Sequence, residues 1–344
     1  METLQGMTES RLPACRQVSH KPEKMAAKAV FLFGLCFICR ATASAQESSS
    51  RTYTLKDGST LTYAKSGLLR TIGSGPSDWG LFVKESFRKE NLPWLAAVGA
   101  STAILIERDE KIYSSAKKAG RKLNISGKDN TKTYLKIGGV SVFRGPGDLG
   151  SAIYFLGDGW ITIGMFGYFE TRGWLKDDWR AAQTGRQLIE GLLAAGFTTQ
   201  VIKRVTGRET PRAASAQRGV WRMFPSFRNY QAHRSRYDAV PSGHMATGMM
   251  TITVIAENYP DSKYVKPIGY TLLAALGFQM VNNGVHWASD YPLGLAVGCG
   301  IGKAIAAGGK TAAKRNAPVA HSALRFAPYL SPEGAVGASL AYKF

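Results

Sequence analysis

The stretch Pro241-Ser242-Gly243-His244-Met245 opens a helix. Proline and glycine set a turn, Ser242 is a natural N-cap, and the residues that follow to Glu257 are mostly apolar or small. A helix start of this kind presents free backbone N–H groups and the positive end of a dipole, the usual setting for an anion. Downstream lies His286-Trp287-Ala288-Ser289-Asp290. Residues four apart share a helical face, so Asp290 is positioned to hold one nitrogen of His286 and leave the other nucleophilic. The chain has five histidines, and two of them fall in these two settings. An anion hole beside His244, and a second histidine backed by a carboxylate, are together suited to phosphoryl transfer.

Around these stretches the apolar periodicity gives further helices at Pro93–Ile106, Leu149–Phe169, Ala181–Lys203, Ile268–Asn282 and Ser289–Ala307. The expected fold is mainly α, a helical bundle of about six helices, with small accessory β-hairpins near the N- and C-termini. The first hairpin alternates over residues 52–56 and 59–63 around Asp57-Gly58, a type I′ turn signal. The second lies in 323–344 around Ser331-Pro332-Glu333-Gly334.

The expected organisation starts with a polar extension over 1–24, which a start at Met25 would leave untranslated. A signal peptide follows over 25–45, then an N-terminal hairpin and loop over 46–90. A helical domain spans 91–310, and a linker with the C-terminal hairpin occupies 311–344. The signal reading rests on Lys28, the apolar run Ala29–Cys39 and the small-residue site Ala43-Ser44-Ala45. It predicts export, to the periplasm or a membrane-associated site. Three of the four cysteines (Cys15, Cys36, Cys39) fall in the removed segment, and Cys299 alone cannot form an intramolecular disulfide.

The net charge of +20 suits anionic lipid headgroups or phosphorylated substrates. Because the basic residues are not grouped with stacking aromatics, nucleic acid is not expected as a partner. The apolar runs of about 13–17 residues are shorter than the roughly 20 needed to cross a bilayer. A buried bundle core and a membrane set both remain open, and we read a bundle resting on the membrane surface. His20, His233 and His321 form no ligand cluster with His244 or His286 by spacing, so neither a metal nor a cofactor is expected.

Upstream lies Lys203-Arg204-Val205-Thr206-Gly207-Arg208-Glu209-Thr210-Pro211. With it, residues 180–307 resemble the type 2 phosphatidic acid phosphatase superfamily, which includes bacterial acid phosphatases and vanadium haloperoxidases. Its motifs are Lys, six residues, Arg-Pro; then Pro-Ser-Gly-His; then Ser-Arg, five residues, His, three residues, Asp. Lys203 and Pro211 match the first motif, residues 241–244 the whole of the second, and His286 and Asp290 the end of the third. The resemblance implies a metal-independent phosphatase acting on phosphomonoesters or lipid phosphates through a phosphohistidine. His286 would be the nucleophile, Asp290 its support and His244 the proton donor. Lys203, Ser242 and Gly243 would bind the phosphoryl oxygens.

Two family arginines are replaced, by Thr210 in the first motif and by Met280, after Gln279, in the third. Arg208 and Arg212 flank Thr210 as candidate substitutes, and Arg234 and Arg236 lie further on. The replacements keep an alternative open, a non-catalytic protein on the same scaffold that binds a phospholipid or phosphate.

Overall fold

The computed structural model describes residues 49–65, 67–138, 140–313, 324–330 and 336–342. The polar extension and the signal peptide lie outside the described residues, as does the turn at 331–334. The architecture is mainly α, with small antiparallel sheets near both ends.

Strands β1 (Ser50–Thr54) and β2 (Thr60–Ala64) form the predicted hairpin around Asp57-Gly58. A short third strand, β5 (Thr311–Ala313), joins the edge of β2, so the sheet also ties down the chain just after the last helix. Near the C-terminus β6 (Leu324–Leu330) pairs with β7 (Val336–Tyr342), as the sequence suggests.

The helices are α1 (Leu68–Ser86), α2 (Leu92–Lys122), α3 (Leu149–Phe155), α4 (Gly159–Lys176), α5 (Trp179–Thr206), α6 (Phe227–Ala232), α7 (Gly243–Asn258), α8 (Val265–Asn282) and α9 (Tyr291–Gly308). Several differ from the sequence reading. The expected loop after the first hairpin contains α1, whose Gly73, Gly75 and Pro76 read as turn signals. Tertiary contacts outweigh them: Trp79 donates from Nε1 to Thr198 Oγ1 at 2.9 Å and packs edge-on against Phe197. The expected helix 149–169 is two helices meeting at 64°. The break follows from Asp158, flanked by glycines, which caps α4 by accepting from Trp160 N. Helix α2 runs sixteen residues beyond Ile106, to Lys122. The helical domain also holds an unexpected hairpin, β3 (Thr131–Ile137) with β4 (Val140–Pro146).

The core lies among α5, α7 and α9, where Leu188, Ala195, Ala246, Met250, Val254, Val297, Ile301 and Ile305 are buried together. Burying each large aliphatic side chain contributes roughly 1.5–3 kcal/mol. Close approach of α7 to α9 depends on glycine. A β-carbon at Gly294 would lie 2.7 Å from the Ser242 carbonyl oxygen, and one at Gly298 would overlap the carbonyl of Ala246. This contact, with Ser242 N donating to Asp290 O at 3.1 Å, fixes the start of α7 against the start of α9. Among the described residues one helical stretch, Ala288–Gly308, is long and apolar enough to cross a membrane. The bent pair α3–α4 passes the same test only when taken together.

Candidate active site

Three chain segments bring the predicted residues together. Helix α5 delivers Lys203 in its last turn and stops at Gly207, whose φ of 54° is left-handed. Ser242 caps α7 as expected, its Oγ accepting from Met245 N at 3.4 Å, which places Gly243 and His244 in the first turn. His286 and Asp290 do not share a helical face. They lie in the connection between α8 and α9, across a 3₁₀ turn at Ala288–Asp290. Gly284 at φ 69° turns the chain after α8, and Pro292 in the first turn of α9 starts the next helix. The pair forms nonetheless. His286 Nδ1 is 2.8 Å from the Ala239 carbonyl and 3.3 Å from Asp290 Oδ2, while Asp290 Oδ2 also accepts from Trp287 N at 2.7 Å. With two acceptors on Nδ1, the proton sits there and Nε2 keeps its lone pair.

Lys203 is buried and pairs with Asp238 Oδ1 at 3.0 Å; the Tyr230 hydroxyl donates to the same carboxylate. Burial opposes ionisation of Asp238, but Lys203 and Tyr230 outweigh it and hold its pKa below the usual carboxylate value. Burial, with the nearby charges of His286 and Lys203, pushes His244 down to about 3. In the free protein His244 is therefore neutral at physiological pH. The ring of Tyr154 lies on His244 with centroids 4.5 Å apart. Tyr154 also lines a cavity of about 290 Å³ with Asp129, Thr131, Val142, Asp158 and Trp160. Asp238 borders a smaller one, about 130 Å³, with Gln200, Tyr230 and Arg234.

The two candidate replacement arginines separate clearly. Arg208 is fully buried between the indoles of Trp221 and Trp287. Nη1 donates to Ser289 Oγ at 2.7 Å and Asp290 Oδ1 at 2.8 Å. Nη2 donates to Asp109 Oδ2 and the Arg218 carbonyl at 2.8 Å, and Nε to that carbonyl at 3.1 Å. All five guanidinium protons are used, so the expectation that Arg208 binds substrate is corrected: it supports Asp290 from behind. Arg212 is exposed, its backbone N–H bonded to Gly284 O at 3.0 Å. Its charge acts on Tyr154, which puts it at the His244 side of the site. Arg234 donates to Gln231 Oε1 at 2.7 Å and, like Arg236, is exposed.

The replaced positions have other roles. Thr210 Oγ1 donates to the Ser235 carbonyl at 3.0 Å. Met280 is fully buried beside Leu273, Leu276 and Val285, with its sulfur 3.6 Å from Ser242 Oγ. That sulfur marks the third motif's arginine position as adjoining the Pro-Ser-Gly-His turn. Sequence reasoning did not identify Asp238, Tyr154, Gly157 or Asp109. Asp238 had one signal, its place three residues before Pro241; the others come from chain segments distant in sequence. No group of three or more His, Cys, Asp or Glu suited to a metal occurs among the described residues.

No curated protein and no solved structure matches the chain. Residues 184–313 match the family model of the PAP2 superfamily, a family of phosphatase-type enzymes acting on phosphorylated substrates. The match takes in Lys203, the Pro241–His244 turn, His286 and Asp290, and over these residues the chain is similar to the PAP2 superfamily.

Proposed function

We propose that the protein hydrolyses phosphomonoesters or lipid phosphates through a phosphohistidine, without a metal. The observation that carries this reading is the His286 imidazole, held at Nδ1 by Ala239 O and Asp290 so that Nε2 is free. Nε2 attacks phosphorus, the phosphorus–oxygen bond to the leaving group breaks, and the leaving oxygen takes up a proton. Asp290 stabilises the resulting imidazolium. Water then attacks the phosphohistidine, His244 accepts its proton, and the phosphorus–nitrogen bond breaks. Because His244 is neutral in the free protein, the first proton arrives on the substrate as its monoanion. Lys203, Arg212 and the backbone at Ser242 and Gly243 take the phosphoryl oxygens, with Lys203 exchanging Asp238 for phosphate. The leaving group extends toward the cavity beside Tyr154.

The test is phosphate release from para-nitrophenyl phosphate and from phosphatidic acid in vesicles, with and without EDTA, by the natural protein and His286→Ala. Activity should survive EDTA and vanish in His286→Ala, and an acid-labile phosphoprotein should be trapped in the natural protein. Full activity in His286→Ala would end the reading. Export and contact with a membrane surface belong to the same proposal, supported by the Ala43-Ser44-Ala45 pattern and the net charge of +20; cell fractionation checks both.

A second reading, a phosphate- or phospholipid-binding protein without turnover, is favoured by Thr210 and Met280 standing where the family has arginines. It predicts saturable orthovanadate binding with no phosphate release from either substrate.

A further inference from the structure

Behind Asp290 lies a buried ionic chain that the matched segment does not contain in full. Arg208 is shared by two carboxylates, Asp290 at 2.8 Å and Asp109 at 2.8 Å, and both pairs are completely excluded from solvent. Asp109 comes from α2, well before residue 184. It also accepts from the backbone N–H of Ser289 at 3.1 Å and from the Ser289 hydroxyl. The order is therefore His286, Asp290, Arg208, Asp109, with Ser289 cross-linking the last two. Paired with Arg208 alone, Asp290 would have its charge cancelled by a guanidinium in a dry setting, and it would do little for an imidazolium.

We propose that Asp109 is a positioning residue of the His286–Asp290 pair: by taking a share of Arg208, it leaves Asp290 with net negative charge facing His286. The other charged or titratable groups around His286 are Asp238, Lys203 and His244. Asp238 meets Arg208 only along the backbone, in a β-bridge, and none of the three side chains bonds to the guanidinium, so they are a constant background to this effect. The consequence for catalysis rests on the phosphohistidine reading; the consequence for the His286 titration does not.

The experiment is an NMR titration of the histidine imidazoles in the full chain, with His286 assigned by comparison with His286→Gln. Asp109→Asn keeps the shape of the side chain and removes its charge. It should lower the His286 pKa by about half a unit or more, an effect the size of one buried charge a few residues away. The double variant Asp109→Asn with Arg208→Gln removes the guanidinium as well, so its His286 pKa should return to the natural value or exceed it. A His286 pKa unchanged in Asp109→Asn, or lowered alike in both variants, would overturn the proposal. Should Asp109→Asn alone not fold, the double variant decides, since a pKa below the natural one has the wrong sign. With para-nitrophenyl phosphate, Asp109→Asn should reduce kcat about tenfold with KM unchanged. A natural protein inactive on both para-nitrophenyl phosphate and phosphatidic acid would refute the phosphatase reading and leave the titration to judge Asp109.

Discussion

Replacing Gly157 with alanine tests how His244 is held. Gly157 sits at the break between α3 and α4, and a β-carbon there would lie 2.6 Å from His244 Cβ, 2.7 Å from Leu276 Cδ2 and 3.0 Å from His244 Cδ2. Carbon atoms pack at roughly 3.5–4.0 Å, so these groups must separate by about 1 Å. Neither neighbour gives way easily. His244 is the second residue of a helix whose start is fixed by Ser242 and Gly294, and Leu276 is buried. Overpacking of this kind costs about 1–3 kcal/mol, and a displacement of about 1 Å in a reacting group lowers turnover roughly 100-fold. Gly157→Ala should therefore lose about two orders of magnitude in kcat/KM on para-nitrophenyl phosphate, with a melting temperature a few degrees lower. Gly159→Ala is the control, because its nearest atom would be Leu192 Cδ1 at an ordinary 3.5 Å. Natural activity and melting temperature in Gly157→Ala would refute the claim that the α3–α4 break seats His244.

Other expectations follow from the same geometry. Arg212→Ala should weaken orthovanadate binding about 10- to 150-fold, the worth of one charge-assisted contact, without moving the melting temperature; Arg208→Ala should instead destabilise the fold by about 3–5 kcal/mol, since it strands two buried carboxylates. With His244 neutral, kcat/KM on a phosphomonoester should decline as pH rises through the second phosphate pKa near about 6, and a rate rising through that range would contradict a proton carried in by the substrate. Glu209 opposes the cost of burial with backbone N–H groups from Ser215 and Val220 and with Arg222, and its pKa falls to about 2. That stabilisation is complete above 4.5, the ordinary value for glutamate, and disappears as pH falls toward 2, so Glu209→Gln should lower the melting temperature at pH 7 and leave it unchanged near pH 2. Met280→Arg should destabilise the free protein, and orthovanadate should restore more melting temperature to it than to the natural protein; equal recovery in both would place residue 280 away from the anion.

How far the sequence foretold the fold depended on the source of each signal. Helices α7, α8 and α9 were legible to within a few residues because their apolar composition and end signals agree: Ser242 at one start, Pro292 at another. Helix α1 was hidden because Gly73, Gly75 and Pro76 argue locally for a loop, and what overrides them is contact from Trp79 to α5, distant in sequence. The β3–β4 hairpin was hidden for a related reason. Its strands Thr131–Ile137 and Val140–Pro146 are short and weakly alternating, with lysines inside the first, so no period stood out.

The site divides along the same line. Pro241–His244, His286 and Asp290 were readable because each is a local pattern with its own chemistry, and the structure alters only how the last two meet: through a 3₁₀ turn and a shared carbonyl, not along a helix. The phosphate clamp was not readable, since it depends on which arginine has protons to spare. In sequence Arg208 and Arg212 are equivalent flanks of Thr210. In space Arg208 lies between two indoles with every donor taken by Asp109, Ser289, Asp290 and the Arg218 carbonyl, while Arg212 is exposed with its charge acting on Tyr154. Burial at residue 208 thus turns an apparent substrate ligand into support for Asp290. In the proposed phosphatase, the work of the two absent family arginines would fall to Lys203, Arg212 and the N–H groups that open α7. Lys203 is itself paired with Asp238 at 3.0 Å, so on that reading an anion would have to compete with Asp238 for it, and an ester with weak affinity would leave the protein closed to it.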